Sequence, residues 1–136
     1  MKNLNRNKKV VFIADDDEDD RLFLTEALLN VDANIEIAEA KNGAELLNLL
    51  KEAKCEPALI VLDMNMPQMN GLETLEALQS LDQQIVAAPT IMLSTSSDKG
   101  FAKKVLDSGI KDYFVKPYSV QGFLKLAQTL KLKYLT

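Results

Sequence analysis

Apolar residues fall along this chain in two alternating patterns, short unbroken runs and stripes at helical spacing. Val10-Val11-Phe12-Ile13-Ala14 is an unbroken run, which predicts a strand buried on both faces. Arg21 to Val31 places Leu24, Ala27, Leu28 and Val31 on one helical face. Asn34 to Ala40 alternates through Ile35 and Ile37, then Ala38 and Ala40, and predicts a more peripheral strand. Beyond a break at Asn42-Gly43, Leu46, Leu49, Leu50 and Ala53 mark a second helix. Pro57 precedes a fully apolar third strand, Ala58 to Leu62. Pro67 and Asn70-Gly71 mark a loop, after which Leu72, Leu75 and Leu78 stripe a third helix. Pro89 opens a fourth strand, Thr90 to Leu93. Ser96-Ser97-Asp98 offers capping chemistry before Phe101, Ala102, Val105 and Leu106, and Gly109 is a stop for that helix. Asp112 to Val115 reads as the fifth strand, and Ser119 caps a last helix with Phe123, Ala127, Leu130 and Tyr134 on one face.

Five strands alternating with five helices predict an α/β fold, a doubly wound parallel sheet covered on both faces. Ligands of such sheets sit beyond the carboxyl ends of the strands, where the winding reverses. Strand-end residues therefore matter most. The first strand runs into six consecutive carboxylates, Asp15 to Asp20. Asp63 follows the third strand, Ser94 ends the fourth and Lys116 follows the fifth. Crowded carboxylates repel: at about 4 Å and an effective dielectric near 20, one pair costs roughly 4 kcal/mol. A hard divalent cation such as magnesium would offset that cost. The outer acids, Asp19 and Asp20, read as a solvated helix start that favours the positive end of the helix dipole.

Composition narrows the chemistry. The 136 residues suit one domain with room for a core. There is no histidine, which removes Ser-His-Asp and Cys-His catalysis and histidine metal sites. A lone Cys55 without metal-ligand spacing around it reads as a bland thiol. The net charge of −4 disfavours nonspecific nucleic-acid binding. The apolar run after the basic start is too short for a signal peptide, and no stretch approaches a membrane span, so a cytoplasmic location is expected.

Four pieces in order carry a family likeness: Asp15-Asp16-Asp17, Asp63-x-x-Met66-Pro67-x-Met69-Asn70-Gly71, the strand from Pro89 to Ser94, and Tyr113-Phe114-Val115-Lys116-Pro117. Together they resemble the CheY-like receiver domain of bacterial two-component response regulators, in its stand-alone form. The resemblance covers the whole chain. It implies a flavodoxin-like five-stranded sheet in the order 2-1-3-4-5 and one receiver domain over residues 1–136. Residues 1–8 would form an N-terminal extension, with no output domain. It also implies a phosphoacceptor, Asp63, labelled by a histidine kinase or a histidine phosphotransfer protein with Mg2+ as cofactor. Asp16 and Asp63 would hold the metal directly, with the Asn65 backbone carbonyl and waters, and Asp15 would act through one of those waters. Lys116 would bring positive charge to the phosphate. Ser94 would offer its hydroxyl, although a slip of one residue would promote Thr95. Ser94 and Tyr113 would form the switch, changing the face made by the fourth helix, fifth strand and fifth helix. A cis peptide bond at Pro117 is implied as well. Such a protein catalyses only its own phosphotransfer and autodephosphorylation. The downstream target stays open, as does the choice between a monomer and a homodimer through the switching face.

Three rivals compete. Asp15, Asp17, Asp19 and Glu26 fit four positions of an EF-hand loop, but Asp20 stands where its sharp turn needs glycine. Asp15-x-Asp17 could mimic the nucleophile of a haloacid-dehalogenase-like, Mg2+-dependent phosphohydrolase, which leaves Met66-Pro67 and Lys116-Pro117 without a role. A pseudo-receiver would keep the fold as a non-phosphorylated binding module.

Overall fold

The computed structural model describes residues 8–53, 55–81 and 87–136. Its strands are β1 (Lys9–Ala14), β2 (Ile35–Ala40), β3 (Leu59–Asp63), β4 (Thr90–Ser94) and β5 (Asp112–Val115). Among the described residues the helices are α1 (Glu18–Val31), α2 (Gly43–Glu52), α3 (Gly71–Leu78), α4 (Lys99–Leu106) and α5 (Val120–Tyr134). All strand pairs are parallel, in the order β2-β1-β3-β4-β5, so the sequence-based fold class and strand order hold.

The unbroken apolar runs bury both faces because side chains alternate along a strand. Val10, Phe12, Ala14, Ile60, Leu62 and Met92 meet α2, α3 and α4 through Leu46, Leu50, Leu75, Leu78 and Val105. Val11, Ile13, Leu59, Val61, Ile91 and Leu93 point the other way, onto Leu24, Leu28, Phe123, Leu126 and Leu130 of α1 and α5. Edge strand β2 buries only its two ends fully, as its mixed composition requires. The carboxyl end of α5 is tied down by ion pairs, Lys131 to Asp32 at 2.8 Å and Lys133 to Asp112.

Helix starts differ from the sequence expectation in an instructive way. Helix α1 begins at Glu18, three residues before Arg21, because the Asp17 carboxylate accepts the Asp20 N–H and caps it. Asn42-Gly43 and Asn70-Gly71, which read as breaks, each open a helix. Asn42 accepts the Glu45 N–H, and Asn70 forms a reciprocal capping box with Glu73. Ser119 and Asp98 cap α5 and α4 as their positions suggest. Gly109 adopts φ +107, the left-handed region a glycine enters without strain, just past α4. Against the implied cis bond at Pro117, every peptide bond among the described residues is trans. The intrinsic gap for a bond before proline is only about 0.5–1 kcal/mol, so local packing decides the isomer.

Candidate functional site

Adjacent strands β1 and β3 pair Ala14 with Leu62, so the next residues, Asp15 and Asp63, emerge side by side. Strand β1 is where the winding reverses, with β2 on one flank and β3 on the other. Strand β4 lies beside β3, with Asp63 opposite Leu93 and Ser94 one residue further on. Ser94 faces Val115, which places Lys116 at the same rim.

The acidic run folds into a chain of short local bonds. Asp15 Oδ1 accepts the Asp17 N–H at 2.9 Å, Asp17 Oδ1 accepts the Asp20 N–H at 3.0 Å, and Arg21 Nη1 donates to the Asp15 carbonyl at 2.7 Å. Short carboxylates favour such turns over continued strand. Asp15 is therefore sealed at the strand end, 3% exposed, while Asp16 to Asp19 face solvent.

Asp63 is 1% exposed, and its Oδ1 accepts the Asn65 N–H at 3.1 Å. The loop behind it is pinned by buried Met66 and by close approach of α3. A Cβ on Gly71 would lie 2.6 Å from Met92 Sδ and 2.9 Å from the Asp63 carbonyl oxygen, so only glycine fits there.

Among the described residues, one side-chain cation pairs with these carboxylates. Lys116 Nζ lies 2.8 Å from Asp15 Oδ2, 2.8 Å from Asp20 Oδ2 and 3.4 Å from Asp63 Oδ2. Burial raises the Asp63 pKa to about 7, with the neighbouring Asp15 charge adding to it and Lys116 only partly offsetting both. Burial likewise raises Asp15 despite its bond to Lys116. Burial pulls the Lys116 ammonium down, but hydrogen bonds to Asp15 and Asp20 win, and its pKa stands above the ordinary lysine value.

Asp15, Asp16 and Asp63 each present a carboxylate oxygen within 4.8 Å of the others. Three hard oxygen donors carrying charge that one lysine does not balance fit a divalent cation of the Mg2+ class. The EF-hand set is not assembled: Asp17 is spent on capping, and Glu26 lies on the exposed side of α1.

Two further side chains meet at one backbone unit. Buried Ser94 Oγ accepts the Ser96 N–H at 3.1 Å, and the Tyr113 hydroxyl donates to the Ser96 carbonyl at 2.6 Å. Tyr113 lies edge-on to Phe101, with ring centroids 6.2 Å apart. Thr95, the alternative hydroxyl, is exposed and donates to the Asn65 side chain at 3.4 Å.

A model of the response regulator receiver domain matches residues 11–128. This chain belongs to the response regulator receiver family. The receiver is 34% identical over 110 residues to the chemotaxis protein CheY of Listeria monocytogenes, covering 79% of this chain and 88% of that one. It superposes on the phosphorylated cyanobacterial phytochrome response regulator RcpA with a TM-score of 0.82 at 25% identity, covering 95% of each chain. The chemotaxis response regulator CheY4 of Vibrio cholerae gives a TM-score of 0.76 at 28% identity, over 90% of this chain and 98% of that one. Among the described residues no helix is long and apolar enough to cross a membrane.

The structure thus brings together Asp15, Asp16, Asp63 and Lys116, with Ser94 at the end of the next strand. Asn65 stands at the rim, exposed, with its backbone N–H on Asp63. Asp20 is the residue that sequence reasoning missed, having assigned it to a solvated helix start. A signal was available: capping by Asp17 makes Asp20 the third residue of α1, on the turn nearest the strand ends.

Proposed function

We propose that this receiver is a cytoplasmic phosphoacceptor, in which Asp63 takes a phosphoryl group from a histidine of a kinase or phosphotransfer protein. The observation that carries it is the Asp63 carboxylate: buried at a strand end, beside one lysine and two further acids. An Asp63 oxygen forms the new P–O bond as the P–N bond to the donor imidazole breaks, the electron pair returning to that ring. The Asn65 N–H fixes the carboxylate plane for this displacement. Lys116 moves its compact charge onto a phosphoryl oxygen. Ser94, whose oxygen already accepts from Ser96, keeps its own proton free to donate to the phosphoryl group. Held by Asp16 and Asp63, with the Asn65 backbone carbonyl and with Asp15 through a water, Mg2+ would supply charge neutralisation between two anions that otherwise repel.

Signal would leave through Ser96. Ser94 grips its N–H and Tyr113 its carbonyl, so a Ser94 hydroxyl drawn to phosphate loosens a unit that Tyr113 shares. The face of α4, β5 and α5 then changes as a population shift, available to a downstream target or a second copy. Apart from its own phosphotransfer and autodephosphorylation the domain needs no external substrate, which makes it a signalling protein rather than an enzyme.

Incubation with Mg2+ and acetyl phosphate is expected to add one phosphoryl group by intact mass. No gain, or an equal gain in Asp63→Asn, refutes the phosphoacceptor. Turnover of an external phosphate ester would favour the phosphohydrolase instead. For the metal, Asp16→Ala should weaken Mg2+ binding by about tenfold or more in titration calorimetry. Asp19→Ala, exposed and outside the cluster, should leave it nearly unchanged. Equal losses in the two variants would move the metal elsewhere.

A further inference from the structure

The Lys116 ammonium is shared unequally. Its two short contacts, 2.8 Å each, go to Asp15 and Asp20, and the long one, 3.4 Å, goes to Asp63. Asp15 and Asp63 are also members of the metal-competent acidic group, whereas Asp20 is not. A cation entering that group would share the charge of Asp15 and Asp63 and leave Asp20 as the anion still committed to Lys116. The Asp20 side chain is 26% exposed against 1% for Asp63, so it stands on the solvent side of the lysine. A phosphodonor anion has to come from solvent, to which Asp20 is the more open of the two carboxylates. The backbone of Asp20 is anchored beside the lysine: its own N–H is held by the Asp17 cap, and the next residue, Arg21, binds the Asp15 carbonyl.

We infer that Asp20 is a positioning residue that tethers Lys116 away from Asp63 in the unphosphorylated receiver and thereby slows phosphoryl uptake. This rests on Asp63 being the phosphoacceptor. On transfer, the ammonium exchanges its contact with the Asp20 carboxylate for one with a phosphoryl oxygen, and Asp20 is left facing water. Its partial exposure makes that loss tolerable and keeps the tether weak. Asp19 supplies the natural comparison. It carries the same charge one residue away, faces solvent, and makes no ion pair with Lys116.

The test compares Asp20→Asn, Asp19→Asn and Asp20→Glu in the full chain. Labelling rates are measured with acetyl phosphate and Mg2+ across donor and salt concentrations. Asp20→Asn should raise the saturating rate about fivefold, the ratio that roughly 1 kcal/mol of ion pairing produces. Asp19→Asn should move it less than twofold, and Asp20→Glu should return most of the original rate. A second readout needs neither metal nor labelling. In metal-free protein the Lys116 ammonium 15N signal, assigned by its loss in Lys116→Met, should exchange with water faster in Asp20→Asn than in the unmodified chain. Equal rate gains in Asp19→Asn and Asp20→Asn, both abolished by salt, would reduce the effect to bulk charge and overturn the tether. So would a slower Asp20→Asn, or an ammonium signal indifferent to the change. If no variant is labelled, the phosphoacceptor assignment fails by itself, while the ammonium signal still decides whether Asp20 holds the lysine.

Discussion

Lys116→Met is expected to lower the melting temperature by roughly 10–20 °C at pH 8 in chelator, and by far less at pH 5. Methionine keeps the length and loses the charge. Asp15 and Asp63, at 3% and 1% exposure, would then face each other with no cation. Removing one partner of a buried charge group costs about 3–5 kcal/mol, because the remaining charges stay desolvated. The pH dependence follows from which state holds more protons. Asp63 is raised to about 7 in the fold even with Lys116 present, and Asp15 is raised too. Lys116 lowers both, so its loss raises them further. Between the ordinary carboxylate value and the folded value the native state binds more protons than the unfolded chain. Stability therefore falls as pH rises through that window and recovers as pH drops below it. Chemical denaturation at a series of pH values checks this. A cost equal at pH 5 and pH 8 would assign the lysine a packing role and remove the charge argument.

Asp63→Asn should do the reverse, stabilising the metal-free domain at pH 8 by roughly 2 kcal/mol, or about 5–10 °C in melting temperature. The carboxylate is ionised there against burial first and the Asp15 charge second. Asparagine is isosteric, keeps an acceptor for the Asn65 N–H and removes the charge. It gives up only the longest of the three lysine contacts, while Asp15 and Asp20 still hold the ammonium. The gain should shrink as pH falls from 7 toward 4, because wild-type Asp63 is then protonated in the fold and, at the lower limit, in the unfolded chain as well. Magnesium should narrow the gap from the other side, since a ligand of the native state stabilises wild type by mass action more than it does the variant. Thermal melts with and without Mg2+ read both effects. A less stable Asp63→Asn at pH 8 in chelator would show that the acid is not under electrostatic strain.

Apolar periodicity by itself determined the alternation of five strands and five helices, because a parallel sheet buried on both faces demands continuous runs such as Val10 to Ala14 and Ala58 to Leu62. It also determined which residues stand at the strand ends or just past them, Asp15, Asp16, Asp63, Ser94 and Lys116 among them. Local chemistry was harder to read. Asn-Gly pairs serve turns and helix caps equally well, so the roles of Asn42 and Asn70 were fixed only where their acceptor oxygens met Glu45 and Glu73. The acidic run shows the limit most clearly. As a string, Asp15 to Asp20 is six like charges. Once Asp17 caps α1 and Lys116 arrives from a strand end 96 residues away by number from Asp20, the run divides into a sealed acid, solvent-facing ones and a lysine partner. Only tertiary structure decided that division. Hydrophobic pattern reports which face of an element is buried, whereas the environment of a charge depends on which distant element the sheet order places against it.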